Sequence, residues 1–155
     1  MTTEATQFNL EENSHLNELE FVRIKNKELI RIIPKELIES IKLSDFTPEQ
    51  FYKFQEDQIE NSLNLLYALI DKERKVRGFL WAHKNLINDV IFINNFSIDK
   101  MYWGKGKGMN LAIEFIGKLR KQYNAPKVCW ATPNERFFLK HGFKRSKNVL
   151  MEYQE

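Results

Sequence analysis

The sequence predicts an α/β (α+β) fold: a mixed, mostly antiparallel sheet of about six to seven strands, flanked by helices, with a central β-α-β unit. Three observations carry this expectation. Leu63–Ile70, Val76–His83 and Asp89–Ile98 are apolar, strand-like runs joined by short charged or polar turns, which reads as an antiparallel meander. Val90-Ile91-Phe92-Ile93 continues through Asn94-Asn95-Phe96-Ser97-Ile98 to Gly104, Gly106 and Gly108, and helical spacing follows over Met109–Lys121. Lys127–Ala131 is a short apolar run after that helix, so the crossover should make it parallel to strand 89–98.

The remaining elements follow in order. Residues 1–14 are polar and aperiodic and read as an N-terminal arm. Leu19–Ile24 alternates as a first strand. Glu28–Leu43 is apolar at helical spacing (Leu29, Ile32, Ile33, Leu37, Ile38, Ile41), but Pro34 should end or kink the helix. Thr47-Pro48-Glu49-Gln50 combines a cap, a proline at the first helical position and a capping-box glutamine. That helix should run to about Asn61 with Phe51, Phe54 and Ile59 inward. Gly78 inside the third strand predicts a bulge or a close backbone approach. Asn124-Ala125-Pro126 is a helix stop. Thr132-Pro133 should open a short helix to about His141, which Gly142 ends. Phe143–Ser146 and Asn148–Glu152 would complete the sheet. The expectation is one domain over 1–155: the arm, a strand and two helices over 21–61, a core over 63–123, and a C-terminal strand, helix and strands over 127–155.

Composition narrows the functional classes. The chain is 43% hydrophobic and 13% aromatic, too apolar for a disordered segment. No apolar run reaches membrane-spanning length and no secretory signal precedes the first periodic segment, so a cytoplasmic location is expected. The single Cys129 allows neither an intramolecular disulfide nor a cysteine metal cluster; it lies in an apolar stretch and reads as buried and inert, and no metal is expected. The net charge of +3 does not itself argue for nucleic acid. Its distribution is uneven: Glu4, Glu11, Glu12, Glu18 and Glu20 open the chain, whereas Lys105, Lys107, Lys118, Arg120, Lys121, Lys144 and Arg145 belong to the second half. That polarity suits an anionic ligand on the C-terminal half. The preference for Lys, Asn, Ile and Phe points to an AT-rich genome, of a phage or a low-GC bacterium.

Three of the six glycines fall between Gly104 and Gly108, between a strand and a helix. Glycine admits positive φ and close approach, successive N–H groups can then converge as a nest, and the helix N-terminus adds its own unpaired donors. With Lys105 and Lys107 beside it, a phosphate or pyrophosphate fits this stretch; the alternative is a glycine-rich connection with solvated lysines. The spacing is G-x-G-x-G, with Met109 in the place of the last glycine of a dinucleotide fingerprint. Gly106-Lys107 is followed by Gly108 rather than Ser or Thr, which excludes a P-loop.

The order of elements resembles the GNAT N-acetyltransferases. Trp103-Gly104-Lys105-Gly106-Lys107-Gly108, after Ile98-Asp99-Lys100, is similar to that family's Gln/Arg-x-x-Gly-x-Gly/Ala loop. Phe138-Leu139-Lys140-His141-Gly142-Phe143 resembles its Tyr-x-Lys-x-Gly-Phe ending, and Val76-Arg77-Gly78-Phe79 its Val-x-Gly. The resemblance covers about Leu63–Glu152 and implies an acetyl-CoA-dependent transfer of an acetyl group to an amine. It implies cofactor contacts from Trp103, Gly104, Lys105, Gly106, Lys107, Gly108, Met109, Ser97 and Phe138, and backbone N–H donors from Phe96 and Ile98 for the thioester carbonyl. Two departures stand out: Trp103 where the family has Gln or Arg, and Phe138 where many members carry a Tyr that protonates the leaving thiolate. Asn134 is too near Gly142 to match the family's CoA-side asparagine.

A general base is harder to name, because no carboxylate lies between Val90 and Ile98. His83 and Glu60 are candidates acting through water. His83 reads more readily as a strand-end surface residue, and His141 as a helix C-terminal one. Asn94, Asn95 and Ser97 could bind substrate or satisfy the strand edge. The acceptor, a small-molecule or protein amine, would be bound by residues 28–61. Other readings are a GNAT-fold protein without catalysis, serving as a binding or assembly partner (in a phage virion, for example) or as a homo-oligomer, and nucleic-acid binding through Lys118, Arg120, Lys121, Lys144, Arg145 and Lys147.

Overall fold

The computed structural model describes residues 19–40, 46–104, 106–132, 135–147, 151 and 153–154. Among them is one five-stranded sheet in the order β1-β2-β3-β4-β5: Glu20–Arg23, Asn64–Ile70, Val76–Lys84, Ile91–Ile98 and Val128–Trp130. The first four strands pair antiparallel and β5 pairs parallel to β4. The mixed architecture is as the sequence predicts, with fewer strands. Phe143–Ser146 enters no ladder. Beyond Phe143 its residues are exposed, without the apolar alternation that would bury one face, and Arg145 turns back to pair with Glu135. Most of Asn148–Glu152 lies outside the described residues, as does the N-terminal arm.

Pro34 does break the second element. Lys27–Ile32 is a 3-10 helix, and a short helix α1 (Lys35–Glu39) restarts directly after the proline. Helix α2 (Pro48–Gln58) carries the expected capping box: Gln50 N–H donates to Thr47 Oγ1 (3.2 Å) and Thr47 N–H to Gln50 Oε1 (2.8 Å). Its buried face is Phe51, Tyr52, Gln55 and Ile59. Phe54 was expected inward but is 45% exposed. It flanks that stripe, with its ring 5.2 Å from Trp81, while Gln55 takes the inward position through a hydrogen bond from Asn64 Nδ2 (2.8 Å). Together these segments cover one face of the sheet with a cluster that includes Ile30, Ile38, Phe51, Leu66 and Phe79.

The other face is covered by α3 (Lys107–Tyr123). Leu111, Phe115 and Leu119, four residues apart, make its buried stripe. Phe115 stacks on Phe21 (4.2 Å), which stacks on Tyr67 (4.1 Å). Each such burial contributes about 1.5–3 kcal/mol, and this core, more than helix propensity, holds α3 on the sheet. Asn124 ends the helix with φ 51°, and Ala125 N–H closes back on Arg120 O at 3.0 Å, as the Asn-Ala-Pro stop predicts.

Gly78 marks a close approach. A Cβ there would meet Ser97 O at 2.7 Å, so only glycine lets β3 lie this near β4. The β2–β3 register also shifts beside it. Helix α4 (Glu135–Lys140) follows β5, with Pro133 and Asn134 outside the described residues, and Gly142 turns the chain with φ +89°. Cys129 is half-buried rather than buried.

Candidate active site

Strand β4 changes character halfway along. Its first residues lie between two neighbours: β3 on one side, and on the other the rungs Ile91–Val128, Phe92–Cys129 and Ile93–Trp130. At Asn94 the β3 ladder skips a residue, since Trp81 faces Asn95 while Ala82 faces Ile93. This is a β-bulge. Beyond it β4 keeps β3 but loses β5, because β5 ends at Trp130.

The direction of the backbone groups follows from the register. Asp99 N–H donates to Arg77 O (2.7 Å), so it points toward β3. Alternate residues of an antiparallel strand face opposite neighbours. Ser97 therefore also faces β3, and the N–H groups of Ile98 and Phe96 face the open side. The indole of Trp103 corroborates this, since its Nε1–H reaches Ile98 O from that side at 3.0 Å. Phe96 and Ile98, proposed from sequence as backbone donors, thus present N–H groups on an edge that no described strand covers.

This edge leads into the glycine loop. Asp99 caps a 3-10 turn, Lys100–Tyr102, by accepting from Met101 N–H (3.1 Å). Gly104 and Gly106 then take φ +87° and +74°. Nothing lies within 4 Å of where their Cβ atoms would be, so glycine is required for its dihedral angle and not for space. Lys107 N–H is satisfied by Gly104 O (3.1 Å) and Asn110 N–H by Gly106 O (2.9 Å). Gly106 is the N-cap of α3 and offers no side-chain cap, which leaves the Gly108 and Met109 N–H groups without a helical acceptor among the described residues. Gly108 sits against Ile98 Cγ2, with a 3.6 Å contact for a Cβ. Met109 is buried. Two left-handed glycines and an uncapped 17-residue helix suit an anion such as a pyrophosphate. Lys105 lies outside the described residues.

The other predicted residues are placed differently. Ser97 is buried on the α1 face, away from the open edge. Its Oγ lies 2.7 Å from Leu37 O and 2.8 Å from Ser40 Oγ, so two hydroxyl protons serve a cluster that ties α1 to β4. Phe138 lies edge-on to Trp130 (4.9 Å) and Phe143 (5.0 Å), and Trp130 is edge-on to Phe96 (6.1 Å). These rings bridge from the open half of β4 to the C-terminal segment. His83 is exposed; its Nδ1–H donates to Asn94 Oδ1 (3.1 Å) and its ring stacks on Phe92 (5.3 Å). In a neutral ring that hydrogen bond leaves Nε2 as the acceptor. His83 pairs with Phe92, however, four residues before Phe96, which is roughly 13 Å along a strand. His141 Nδ1–H donates to Phe137 O (2.8 Å), the helix C-terminal role read from sequence.

Two features had no sequence signal. Trp103 bonds to Ile98, a contact fixed by the turn between them. Trp81 Nε1–H donates to Asn64 Oδ1 (2.9 Å), whose amide donates in turn to Gln55; nothing local marks that chain. A cleft of about 430 Å³ opens beside the β4 exit on the α1 face, lined by Pro34, Glu36, Leu37, Arg77 and Asp99 among others. Arg77 there is already paired with Asp71 (2.8 Å) and lies 3.6 Å from Asp99. Among the described residues no group of three His, Cys, Asp or Glu side chains is placed to hold a metal ion, and no helix is long and apolar enough to cross a membrane.

Comparison with solved structures finds the same fold. A possible acetyltransferase from Clostridium difficile 630 superposes with a TM-score of 0.69 at 12% identity, covering 89% of this chain and 98% of that one. An aminoglycoside antibiotic 6'-N-acetyltransferase from Acinetobacter baumannii gives 0.63 at 12% identity over 88% and 98%. An aminoglycoside N-acetyltransferase solved in complex with CoA gives 0.63 at 12% identity over 88% and 94%. No curated protein matches the sequence. The sequence profile of the acetyltransferase (GNAT) family matches residues 32–143, across α1, α2, the meander, the glycine loop and the Gly142-Phe143 ending. The chain belongs to the acetyltransferase (GNAT) family.

Proposed function

We propose that this protein transfers an acetyl group from acetyl-CoA to an amine of a small molecule or protein. The observation that carries the proposal is the half-open β4, whose free Phe96 and Ile98 N–H groups lead directly into the uncapped N-terminus of α3. CoA has the matching chemistry, with a pyrophosphate for the glycine loop and a thioester at the far end of an amide-bearing arm. Gly104, Lys105, Gly106, Lys107, Gly108 and Met109 would hold the pyrophosphate, mainly through backbone N–H groups. Trp103 and Phe138 would flank the bound molecule, while Ser97 supports it indirectly by fixing α1 to β4.

Bound acetyl-CoA supplies an activated acyl carbon. The chain's part is to stabilise the negative charge that builds on the carbonyl oxygen, and the Phe96 and Ile98 N–H groups are the donors for it. They are fixed by the β3 ladder and need no reorganisation. An acceptor amine would approach from the α1–α2 face and must be neutral to attack. His83 Nε2 would take its proton through a chain of waters, and Phe138 has no proton to give a leaving thiolate.

The test is isothermal titration with acetyl-CoA. Wild type should bind, and Gly106→Asp should lose at least ~30-fold. That figure is about 2 kcal/mol, from left-handed strain and a like charge at the nest. No binding by wild type at millimolar ligand would sink the proposal. A second reading, a GNAT-fold binding protein without turnover, is favoured by Phe138 and by the distance of His83 from the open edge; acetyl-CoA binding without acetylation of any amine in a broad panel would select it.

A further inference from the structure

One backbone acceptor of the open β4 edge is already taken. Ile98 O lies on the side away from β3 and accepts the Trp103 indole N–H at 3.0 Å. The same peptide unit is held on its other side, where Asp99 N–H donates to Arg77 O at 2.7 Å. Trp103 therefore does for Ile98 what a neighbouring strand would do. Among the described residues, the groups left without a partner strand on the edge are Phe96 N–H, Phe96 C=O and Ile98 N–H.

The hold on Ile98 is light. The Trp103 side of the molecule faces solvent, with the residue 55% exposed, and Lys100 Nζ sits 5.9 Å from its ring centroid. Gly104 follows with φ +87°, and nothing lies within 4 Å of where its Cβ would be, so the chain after the indole carries no side chain against it.

We infer that Trp103 is a displaceable stand-in for the acyl donor: its indole N–H occupies the Ile98 carbonyl until an amide N–H of the donor's arm replaces it. The inference rests on the acetyl-CoA reading above. A molecule carrying secondary amides adds to an open sheet edge as a strand does, through alternating N–H and C=O groups. An arm that runs along β4 to the glycine loop must pass Ile98, and the indole stands in that path. Binding exchanges one hydrogen bond for another. The ligand-free state thus has a stabilisation that the bound state lacks, and removing it raises affinity. This gives the tryptophan in place of Gln or Arg a role of its own, set by its single rigid donor.

The test uses CoA itself and Trp103→Phe, which keeps an aromatic ring and loses the donor. Calorimetry should show Trp103→Phe binding CoA about 5-fold more tightly than wild type, the worth of one net hydrogen bond. Without ligand the variant should melt at a lower temperature than wild type; with saturating CoA the two should melt alike. CoA should also shift the tryptophan emission of wild type, and the shift should be smaller in the variant, which keeps Trp81 and Trp130. Equal or weaker CoA binding by Trp103→Phe overturns the inference and leaves the acetyl-CoA reading standing. Failure of both proteins to bind at millimolar CoA overturns both. Should the variant not fold, the wild-type emission decides: no change at saturating CoA overturns the inference.

Discussion

Ile91–Ile93 and Asn94–Ile98 are halves of one strand with opposite surroundings. The first half has β3 on one side and β5 on the other, and Ile91 is fully buried. The second half has β3 alone, and its free edge ends at a loop of left-handed glycines. The two halves teach what a sheet exchanges for a site. A fully paired strand has spent its backbone donors on stability. A strand released from one neighbour after a bulge keeps those donors in fixed directions for something else, while its side chains remain anchored in the core through Ile98 and Phe96.

Breaking the paired half should have the largest effect. Ile91→Ala removes a core side chain at 0% exposure and should destabilise the protein by about 2–5 kcal/mol in urea unfolding. The folded fraction should bind acetyl-CoA with unchanged affinity, because Ile91 offers nothing to the open edge. Reduced affinity in that fraction would mean that the halves are not separable.

A smaller effect is expected where the β3 hairpin supports the open half. Asp71 accepts from Arg77 Nε (2.8 Å) and from the Glu73 and Lys75 N–H groups, and these hydrogen bonds hold its carboxyl below the ordinary value of 3.8. Because the folded-state value is the depressed one, the contribution to stability is complete above pH 3.8 and is lost as the pH falls through the folded-state value. Asp71→Asn should therefore melt lower than wild type at neutral pH, and the gap should close on the acid side. A gap that does not vary with pH would assign the loss to shape rather than charge.

What could be read from sequence was local. The capping box at Thr47–Gln50, the break at Pro34, the Asn124 stop and the glycine loop all depend on residues within one turn of each other, and each is found where expected. Long-range partners were not legible. Nothing near Ser97 announces that Leu37 O will hold its hydroxyl and so tie α1 to β4. Phe54 and Gln55 exchange roles because Asn64, nine residues away, supplies Gln55 with a partner inside the core. Trp103 read as a cofactor contact standing where the family has Gln or Arg, and its bond to Ile98 depends on a turn that sequence alone does not orient. The strand predicted over Phe143–Ser146 failed for a related reason: a run that follows Gly142 needs a sheet edge to join, and among the described residues Phe143–Ser146 joins none.

The measurement closest to the central claim is amide hydrogen exchange along β4, read residue by residue with and without acetyl-CoA. If the open half is the donor site, the Phe96 and Ile98 amides exchange readily in the free protein and slow markedly at saturating ligand, while Ile91 and Ile93, already paired with β5, do not change. Binding that leaves the Phe96 and Ile98 amides unprotected would place acetyl-CoA elsewhere and contradict the account.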